Sequence, residues 1–462
     1  MEKRIILIVP FILSFIDIGD DNTKYLTYWF SSLFIVIFVV FFDNEVEITG
    51  NDKLAYFFRP LYLPHIIFAF YMSLSTIFYY FDVNGYYYFE FQAIKVDFIK
   101  IHLLAECQRL YLLAHLFYVV GLYITTNYDF IPSYKFNTEN YSNTILNISI
   151  VFFVLSLITK NVQGLSQLSI GFEGLSYVSS IMLITISFVE AKFAIIGYAI
   201  SIFVFNYILA LTSGSKEAMI TPILFLNVYL LQRYRLASFI FFIPIFIFFF
   251  YYLPTFNIII RSLGLSGEMS SIEQITFAIN EIESGNAPLE DNNWYFLVYR
   301  LSEVDMFIKY FEAVPAYHPH YDFQIVKQGL EAIIPRILYP DKPNIETQVM
   351  ERVRELGIIA EYSSVSAKPT FVADCYLSFG STGIIIGHLI LGVIMGLLGI
   401  NSERLFGGYT IGTSLILTGL FKGIWKPFCF EFLFNNIFWS TMIFITIFFA
   451  FRSRNLLLNP DE

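Results

Sequence analysis

Long, almost uncharged runs of Phe, Ile, Leu and Val recur along this sequence, and they limit its possible folds more than any other feature. The run at 239–252 contains no charged residue. A stretch of about 17–25 apolar residues is long enough to cross a bilayer as a helix. Only 14% of the 462 residues are charged, whereas soluble domains carry about 25%. The sequence therefore predicts an all-α, polytopic membrane helix bundle.

Segments of this kind predict about twelve transmembrane helices. The sixth and seventh are separated only by Glu190-Ala191-Lys192, which is typical of a tight turn. The start resembles a signal peptide in its charge pattern, but it lacks a small-residue cleavage site and is therefore predicted to be a retained first helix. The predicted spans are 4–18, 25–42, 60–81, 98–125, 142–159, 173–190, 192–211, 217–232, 236–256, 376–400, 408–422 and 433–451.

Lys and Arg in short loops indicate the orientation of the bundle, because such loops are enriched in positive charge on the cytoplasmic side. The basic stretches 232–235, 402–404 and 452–454, together with Lys3 and Arg4, are predicted to be cytoplasmic. With an even number of spans, the only long polar stretch then lies outside. The predicted parts are 1–256, the first part of the bundle; 257–375, a large outer loop domain; and 376–462, the second part.

The loop domain is acidic but shows signs of folding. Residues 256–372 hold 9 Lys and Arg against 16 Asp and Glu. Apolar residues recur at helical spacing from Leu301 to Phe311, and Ser302 with Asp305 resembles a capping box. Further helices are predicted at 323–333 and 345–356, and Pro335, Pro340 and Pro343 separate them. A compact helical cap resting on the bundle is expected.

Cations on the predicted outer side are the most informative candidates for a binding site. A charge near the hydrocarbon is costly unless it is paired or wet, so a shared pocket for a polyanion such as a lipid pyrophosphate is one explanation. Snorkelling to headgroups, or pairing with nearby carboxylates, is the alternative. The cations are Lys160, Lys216, Lys422 and Lys426 at helix ends, and Arg261, Arg300, Arg336, Lys342 and Lys368 in the loop.

Lys216 belongs to the sequence Thr-Ser-Gly-Ser-Lys-Glu at 212–217, which opens the eighth predicted span. Free backbone N–H groups at a helix start attract anions, and serine residues cap helices. An anion site and an ordinary cap both fit this pattern. The spacing of a Walker motif is absent.

Two groups of residues are candidate general bases on the outer side. His318 and His320 flank Pro319 in the loop, and histidine titrates near neutral pH. Asp17, Asp20 and Asp21 crowd the first outer loop as a competing choice. Exposed turn histidines and a solvated acidic loop are the alternative interpretations. Glu106 and Arg109, inside the fourth span, are a further polar pair.

Metal, cofactor and nucleic-acid sites are not expected. The three cysteines are far apart in or beside apolar segments, without metal-type spacing, and are read as small buried hydrophobes. No carboxylate or cysteine stands at a ligand-like spacing from His318 and His320. A net charge of −10 and the lack of a basic tract argue against nucleic acid.

Three stretches together resemble the oligosaccharide repeat-unit polymerases, the O-antigen polymerase type of bacterial membrane enzyme. They are Ser213-Gly214-Ser215-Lys216 at a helix start, the segment 334–343 (Ile-Pro-Arg-Ile-Leu-Tyr-Pro-Asp-Lys-Pro), and the segment 373–383, which leads into a glycine-rich helix from Gly387 to Gly399. Many spans with one large late outer loop match as well. Lys216 departs from the pattern, because relatives often have Arg there.

The resemblance implies a GT-C-like glycosyltransferase in the cell inner membrane, with membrane lipid around it. Its substrate would be a glycan on undecaprenyl pyrophosphate, and a chain-length regulator protein is an implied partner. The reaction would be an inverting transfer that extends a surface polysaccharide, such as O-antigen, capsule or exopolysaccharide. It needs a cationic cradle for the leaving pyrophosphate and a base for the acceptor hydroxyl. The expected base is His318 or His320, with Asp20 as the alternative, and the expected cradle is drawn from Lys216, Arg261, Arg300, Arg336, Lys342, Lys422 and Lys426.

Two other functions remain open from the sequence. A ligase of the O-antigen type shares the chemistry and the topology. A flippase or other transporter of lipid-linked oligosaccharide belongs to a different class, and would be expected to show an internal repeat. The large loop and the lack of such a repeat favour the enzyme.

Overall fold

A computed structural model of the chain describes residues 2–17, 19–43, 53–137, 139–162, 165–190, 192–212, 216–266, 270–335, 338–339, 341–360, 367–426 and 428–460. Helices dominate this part of the chain, which confirms the all-α prediction. The α-helices are α1 Ile8–Leu13, α2 Asp21–Ile37, α3 Leu63–Met72, α4 Ile77–Val83, α5 Phe98–Thr125, α6 Tyr141–Asn161, α7 Ser166–Val189, α8 Phe193–Thr212, α9 Lys216–Arg233, α10 Arg235–Ser266, α11 Ser271–Glu283, α12 Leu289–Tyr295, α13 Val304–Ala313, α14 Gln324–Ile333, α15 Ile345–Glu355, α16 Phe371–Leu405, α17 Tyr409–Ile411, α18 Thr418–Phe421 and α19 Phe430–Ser453.

Shorter elements complete the fold. Two antiparallel pairs are described, in which β1 (Asn84–Tyr87) pairs with β2 (Glu90–Val96) and β3 (Lys135–Phe136) pairs with β4 (Leu457–Leu458). Turns of 3₁₀-helix occupy Glu2–Leu7, Lys53–Tyr56, Leu74–Thr76 and Lys422–Ile424, and π-helical turns occupy Phe38–Phe42, Phe296–Arg300 and Gly412–Leu417.

Eight of the described helices are long and apolar enough to cross a membrane, or nine if the bent stretch within α10 is one span. The sequence predicts about twelve. The difference lies in three segments: the first and eighth are apolar helices shorter than a span, Arg4–Leu13 and Ala218–Gln232. The segment 408–422 is broken into α17, a π-turn and α18.

The two ends of the bundle are defined by contacts between its helices. At one end, called the loop end, Asp21 meets His102 at the start of α5, and Trp294 of the loop donates a hydrogen bond to Asp82. The other end of the bundle is called the opposite end. There the C-terminal β4 pairs with β3, and Arg4 lies 4.0 Å from the ring centroid of Tyr123. The described N-terminal and C-terminal segments therefore both lie at the opposite end.

A buried ion pair ties the first and last thirds of the chain at the opposite end. The Arg59 guanidinium donates two hydrogen bonds of 2.8 Å to the Glu403 carboxylate. Rings of Tyr56 and Tyr128 lie 4.3 and 4.0 Å from the guanidinium carbon. A bidentate pair between aromatic rings satisfies a charge that burial would otherwise penalise.

Helices α5 and α16 pack closely because glycines line their contact. A Cβ on Gly121 would lie 2.3 Å from the carbonyl oxygen of Leu389, and one on Gly392 would lie 2.1 Å from that of Tyr118. Small residues at such a contact let two membrane helices approach closely. The glycine-rich run after residue 387 thus serves helix packing.

Three helices of the loop form as the sequence predicts: α13, α14 and α15. The predicted capping box at Ser302 and Asp305 is wrong. The N-cap position of α13 is Glu303, in the left-handed region at φ 56, without a side-chain cap. Asp305 instead accepts a hydrogen bond of 3.0 Å from the hydroxyl of Tyr79 and pairs with Lys309.

The loop helices and the bundle share one apolar core. Phe307 of α13 stacks on Tyr111 of α5, with ring centroids 5.0 Å apart. Helix α10 continues to Ser266, beyond the predicted boundary at 256 and 257, and α16 already begins at Phe371. The loop helices therefore extend the bundle instead of standing away from it.

Candidate functional site

Two lysines in the broken segment near the C-terminus lie against tyrosine rings inside the bundle. Lys422 Nζ is 4.3 Å from the ring centroid of Tyr177, and Lys426 Nζ is 3.9 Å from that of Tyr71. Both lysines are half-buried. Trp425, between them, packs on Phe225 of α9 with ring centroids 5.1 Å apart. The two cations therefore lie among helices α3, α7 and α9.

The backbone that carries these lysines forms short turns instead of one continuous helix. Irregular backbone at membrane depth is tolerated only where protein covers it or where it lines a wet cavity. The segment runs through a π-turn, a four-residue helix and a 3₁₀ turn, Lys422–Ile424. A cation over an aromatic face gains about 0.5–2 kcal/mol. The arrangement can hold two positive charges inside the bundle while leaving them partly accessible.

Arg261 and Arg300 form a second group of cations at the loop end. Arg261 lies in the last turns of α10, and Arg300 ends the π-turn that follows α12. The two guanidinium groups repel each other, and Glu303 attracts Arg261. Both side chains are exposed. The structure thus brings these two predicted residues together.

Lys342 is not positioned as part of an anion-binding cradle, which is the role that the sequence favours. Its ammonium group is buried and donates hydrogen bonds to the carbonyl oxygens of Ala332 and Ile334, at 2.5 and 2.8 Å. These carbonyls end α14, where unpaired acceptors point out of the helix. Lys342 therefore caps a helix, which favours a structural role.

The remaining predicted cations are placed as follows. Arg336 and the side chain of Lys216 lie outside the described residues, and Lys216 is the first residue of α9. Lys368 pairs with Glu346 at 3.3 Å, and Lys160 is exposed in the last turn of α6.

His320 lies beside a break in α16, where Phe379 and Gly380 depart from helical geometry. Its Nδ1–H donates to the carbonyl oxygen of Leu377 at 3.3 Å, and its ring meets the edge of Tyr376. A carbonyl can only accept, so this contact leaves Nε2 as the nitrogen that accepts a proton. His318 resembles it, since its Nδ1 donates to the carbonyl oxygen of Pro319 at 2.6 Å and its ring stacks on Tyr321. In both histidines the tautomer with Nδ1 protonated leaves Nε2 free to act as a general base.

Asp20 is the N-cap of α2. Its carboxylate accepts hydrogen bonds from the backbone N–H and the hydroxyl of Thr23, and these bonds lower the pKa of Asp20. A lower pKa makes a carboxylate a weaker base. Its neighbours are also paired, Asp17 with Lys24 at 2.7 Å and Asp21 with His102 at 3.1 Å. The acidic first loop therefore has a structural explanation.

The polar pair inside the fourth predicted span forms as expected. Arg109 lies 3.0 Å from Glu106 on the same helix, and both side chains are partly exposed. Among the other histidines, His65 and His115 share a buried hydrogen bond of 2.8 Å between α3 and α5. They bond one helix to the other. The side chain of His102, near the start of α5, is exposed.

A buried charge network at the loop end was missed by the sequence reasoning. Arg352 of α15 lies 3.0 Å from Asp374 and 2.7 Å from Glu431, at the starts of α16 and α19. Burial alone would lower the pKa of Arg352, but the two carboxylates raise it above its ordinary value. Asp374 also accepts a bond of 2.7 Å from the backbone N–H of Phe430. A signal existed, because a charge at the start of an apolar run needs a partner.

The same network has the residue types of a metal site. Ligand atoms of Asp374, Cys429 and Glu431 lie within 4.8 Å of one another. The Arg352 guanidinium, however, already binds both carboxylates. Since its positive charge lies where a metal ion would, the network fits an ion-pair junction between loop and bundle better than a metal site.

Comparison with known proteins gives a family without an assigned role. No curated protein and no solved structure matches the chain at a significant level. One family model matches residues 9–459, and its description is "Domain of unknown function (DUF8712)". This match covers nearly the whole sequence, including the loop helices and all the charged groups described above. The chain belongs to the DUF8712 family.

Proposed function

We propose that this chain is a membrane glycosyltransferase that polymerises undecaprenyl-pyrophosphate-linked oligosaccharide repeat units into a surface polysaccharide. The proposal places it in the cell inner membrane as a GT-C-like bundle. It also takes all twelve predicted segments to cross the bilayer, with the short and broken ones lying within the bundle. Residues 257–375 would then face away from the cytoplasm.

The observation that carries the proposal is the position of Lys422 and Lys426. A pyrophosphate leaving group gains negative charge as the glycosidic bond to it breaks, and fixed cations stabilise that charge. Two lysines held against tyrosines inside the bundle, and partly accessible, suit this task. Arg261 and Arg300 add positive charge at the loop end.

A base must accept the proton of the attacking hydroxyl. His320 and His318 lie at the loop end with Nε2 as the accepting nitrogen, and His320 neighbours the break in α16. In the proposed reaction the acceptor hydroxyl attacks the anomeric carbon from the face opposite the pyrophosphate. The configuration at that carbon inverts, and the lipid pyrophosphate leaves.

Glycan length in cells tests the proposal. We expect a double Lys422→Gln/Lys426→Gln variant to export single repeat units without long polymer, because only the joining step is lost. Lys100→Gln is a matched control, as this lysine is exposed at the loop end and pairs only loosely, at 3.8 Å, with Asp97. It should retain the full ladder. If the double variant left no glycan outside the cell, transport would replace polymerisation as the function. Long polymer that is made but not transferred would indicate a ligase.

A further inference from the structure

A lateral groove lies between the β1–β2 hairpin, α10 and α12, apart from the cations described above. It has a volume of about 690 Å³, within the range of about 300–1,000 Å³ for small-molecule sites. One wall is formed by Ile243, Phe246, Ile247 and Phe250 of α10. The other boundary is polar and is formed by the hairpin and α12. The groove is therefore amphipathic from one side to the other.

The polar boundary offers hydrogen-bond acceptors. Glu90 and Glu290 line it with Tyr87 and Tyr88. The hydroxyl of Tyr87 donates to Asp291 at 2.5 Å, and that of Tyr88 donates to the carbonyl oxygen of Glu290 at 2.6 Å. With their protons used, both phenol oxygens can act only as acceptors toward a ligand. Lys95, 5.2 Å from the Tyr87 ring, is the nearby cation.

Asn293 adds an acceptor that is buried and unsatisfied. Its side chain is 7% exposed and lines the groove. Its Nδ2 donates to the carbonyl oxygen of Tyr251 at 2.9 Å, which fixes the orientation of the amide. Its Oδ1 has no hydrogen-bond partner within the described part of the chain. A buried acceptor without a partner costs about 1–3 kcal/mol, and because this oxygen has almost no exposed surface, the side chain must shift before a ligand can donate to it.

The boundary is also held in place before any ligand binds. Tyr88 packs on Trp294 with ring centroids 5.1 Å apart, and the Trp294 indole donates to Asp82 at 2.9 Å. Hydroxyl groups are the donors that match a set of acceptors, and carboxylates repel phosphate. The apolar wall, exposed on a helix of the bundle, matches a hydrocarbon chain.

We propose that this groove binds a glycolipid with an uncharged sugar headgroup. The sugar hydroxyls donate to the tyrosine oxygens and to the carboxylates, and to Asn293 once its side chain has shifted, while the hydrocarbon lies along α10. Because the groove is acidic and the proposed catalytic cations are elsewhere, this site is independent of the proposed polymerase function.

Native mass spectrometry of the purified full-length protein tests the site directly. The probes are monoglucosyldiacylglycerol and phosphatidylglycerol with the same acyl chains, mixed in equal amounts. We expect at least a ten-fold preference for the glucolipid. Ile247→Trp should remove that preference because the indole fills the groove, whereas Phe248→Trp should keep it. Residue 248 is similarly exposed on the same helix but does not line the groove.

A third variant separates the sugar from the chain. Glu290→Arg should shift the preference toward phosphatidylglycerol by at least ten-fold, since the boundary then carries a cation. Equal binding of both lipids by the wild-type protein would overturn the proposal. A preference that survives Ile247→Trp in a protein with unchanged melting temperature would do the same.

Discussion

At the residue scale, Arg352 joins the loop to the bundle. It bonds carboxylates at the starts of α16 and α19 from a helix of the loop. Removing one partner of a buried ion pair costs about 3–5 kcal/mol, because the remaining charge stays buried without compensation. We expect Arg352→Ala to lower the free energy of unfolding by that amount, as measured by thermal unfolding of the purified protein.

Glu351→Ala is the matched control for Arg352→Ala. Glu351 is the neighbouring residue on α15 and is exposed. Its replacement should change stability little, since exposed positions rarely matter by more than about 0.5 kcal/mol. An Arg352→Ala protein as stable as the control would show that the network does not hold loop and bundle together.

The choice between His318, His320 and Asp20 as the base is also a question of single residues. Asn caps a helix about as well as Asp, so Asp20→Asn should leave the start of α2 and the activity intact. The His318→Ala/His320→Ala double variant should lose about 10²–10⁴-fold in rate with purified enzyme and lipid-linked substrate. A wild-type rate in the histidine variant, with loss in Asp20→Asn, would reverse the assignment.

Residue identities in the sequence reveal some of these roles and not others. The cations that are predicted to lie outside stand out in the sequence, because the charge rule for membrane proteins predicts few of them on that side. Arg352, Asp374 and Glu431 stand on three separate elements, and only their packing brings them together. The role of Lys342 depends on where α14 ends, which the sequence places within a residue or two but does not connect to that lysine.

At the element scale, the break in α16 is the feature that shapes the loop end. Gly380 has φ 61 and ψ −144, a conformation open almost only to glycine. The carbonyl oxygens of Leu377 and Ser378, before the break, accept backbone N–H bonds from Tyr321 and Asp322. These bonds beside the break therefore hold the segment that follows His318 and His320 against the bundle.

Replacing this glycine should disturb that docking. We expect Gly380→Ala to destabilise the protein by about 1–3 kcal/mol through backbone strain, measured by thermal unfolding. A Cβ there would also lie 3.6 Å from the His320 ring. Gly197→Ala in α8 is the control, because nothing lies within 4 Å of its Cβ position. That variant should be neutral or more stable by about 0.4–1 kcal/mol. Equal melting temperatures for the two variants would contradict the strained break.

Periodicity predicts elements better than it predicts their interruptions. Helix α7 ends and α8 begins on either side of the turn that the sequence predicts, and the three loop helices form where it places them. The segment 408–422 is as apolar as its neighbours, but it is broken into short turns. Hydropathy measures how apolar a segment is and carries no information on the hydrogen-bond pattern within it. The sequence therefore does not predict that the helix is interrupted near Lys422.

At the scale of the whole molecule, the orientation of the bundle can be tested by labelling. The three native cysteines are buried and should react slowly. We expect Ser284→Cys, exposed in the loop, to react with an impermeant thiol reagent in intact spheroplasts. Asp129→Cys, exposed at the opposite end, should react only after permeabilisation. The reverse pattern would place the loop and the cations in the cytoplasm.

Composition and apolar runs predict the class of the molecule, and an even number of spans, together with the loop charges, predicts both ends of the chain on one side. The sequence does not predict the number of full-length spans, because length and apolar character do not distinguish a complete crossing from a short or broken helix inside a bundle. The groove beside α10 was also invisible in the sequence, since it depends on how the hairpin and α12 meet.

Polymerisation by the purified protein is the most direct test of the central claim. The wild-type protein in proteoliposomes would be given undecaprenyl-pyrophosphate-linked repeat units, and the glycans would be separated by size. We predict a ladder of multiples of the repeat unit, with release of undecaprenyl pyrophosphate, and no ladder from the Lys422→Gln/Lys426→Gln variant. Repeat units that stay single but move across the bilayer would contradict the polymerase and identify a transporter.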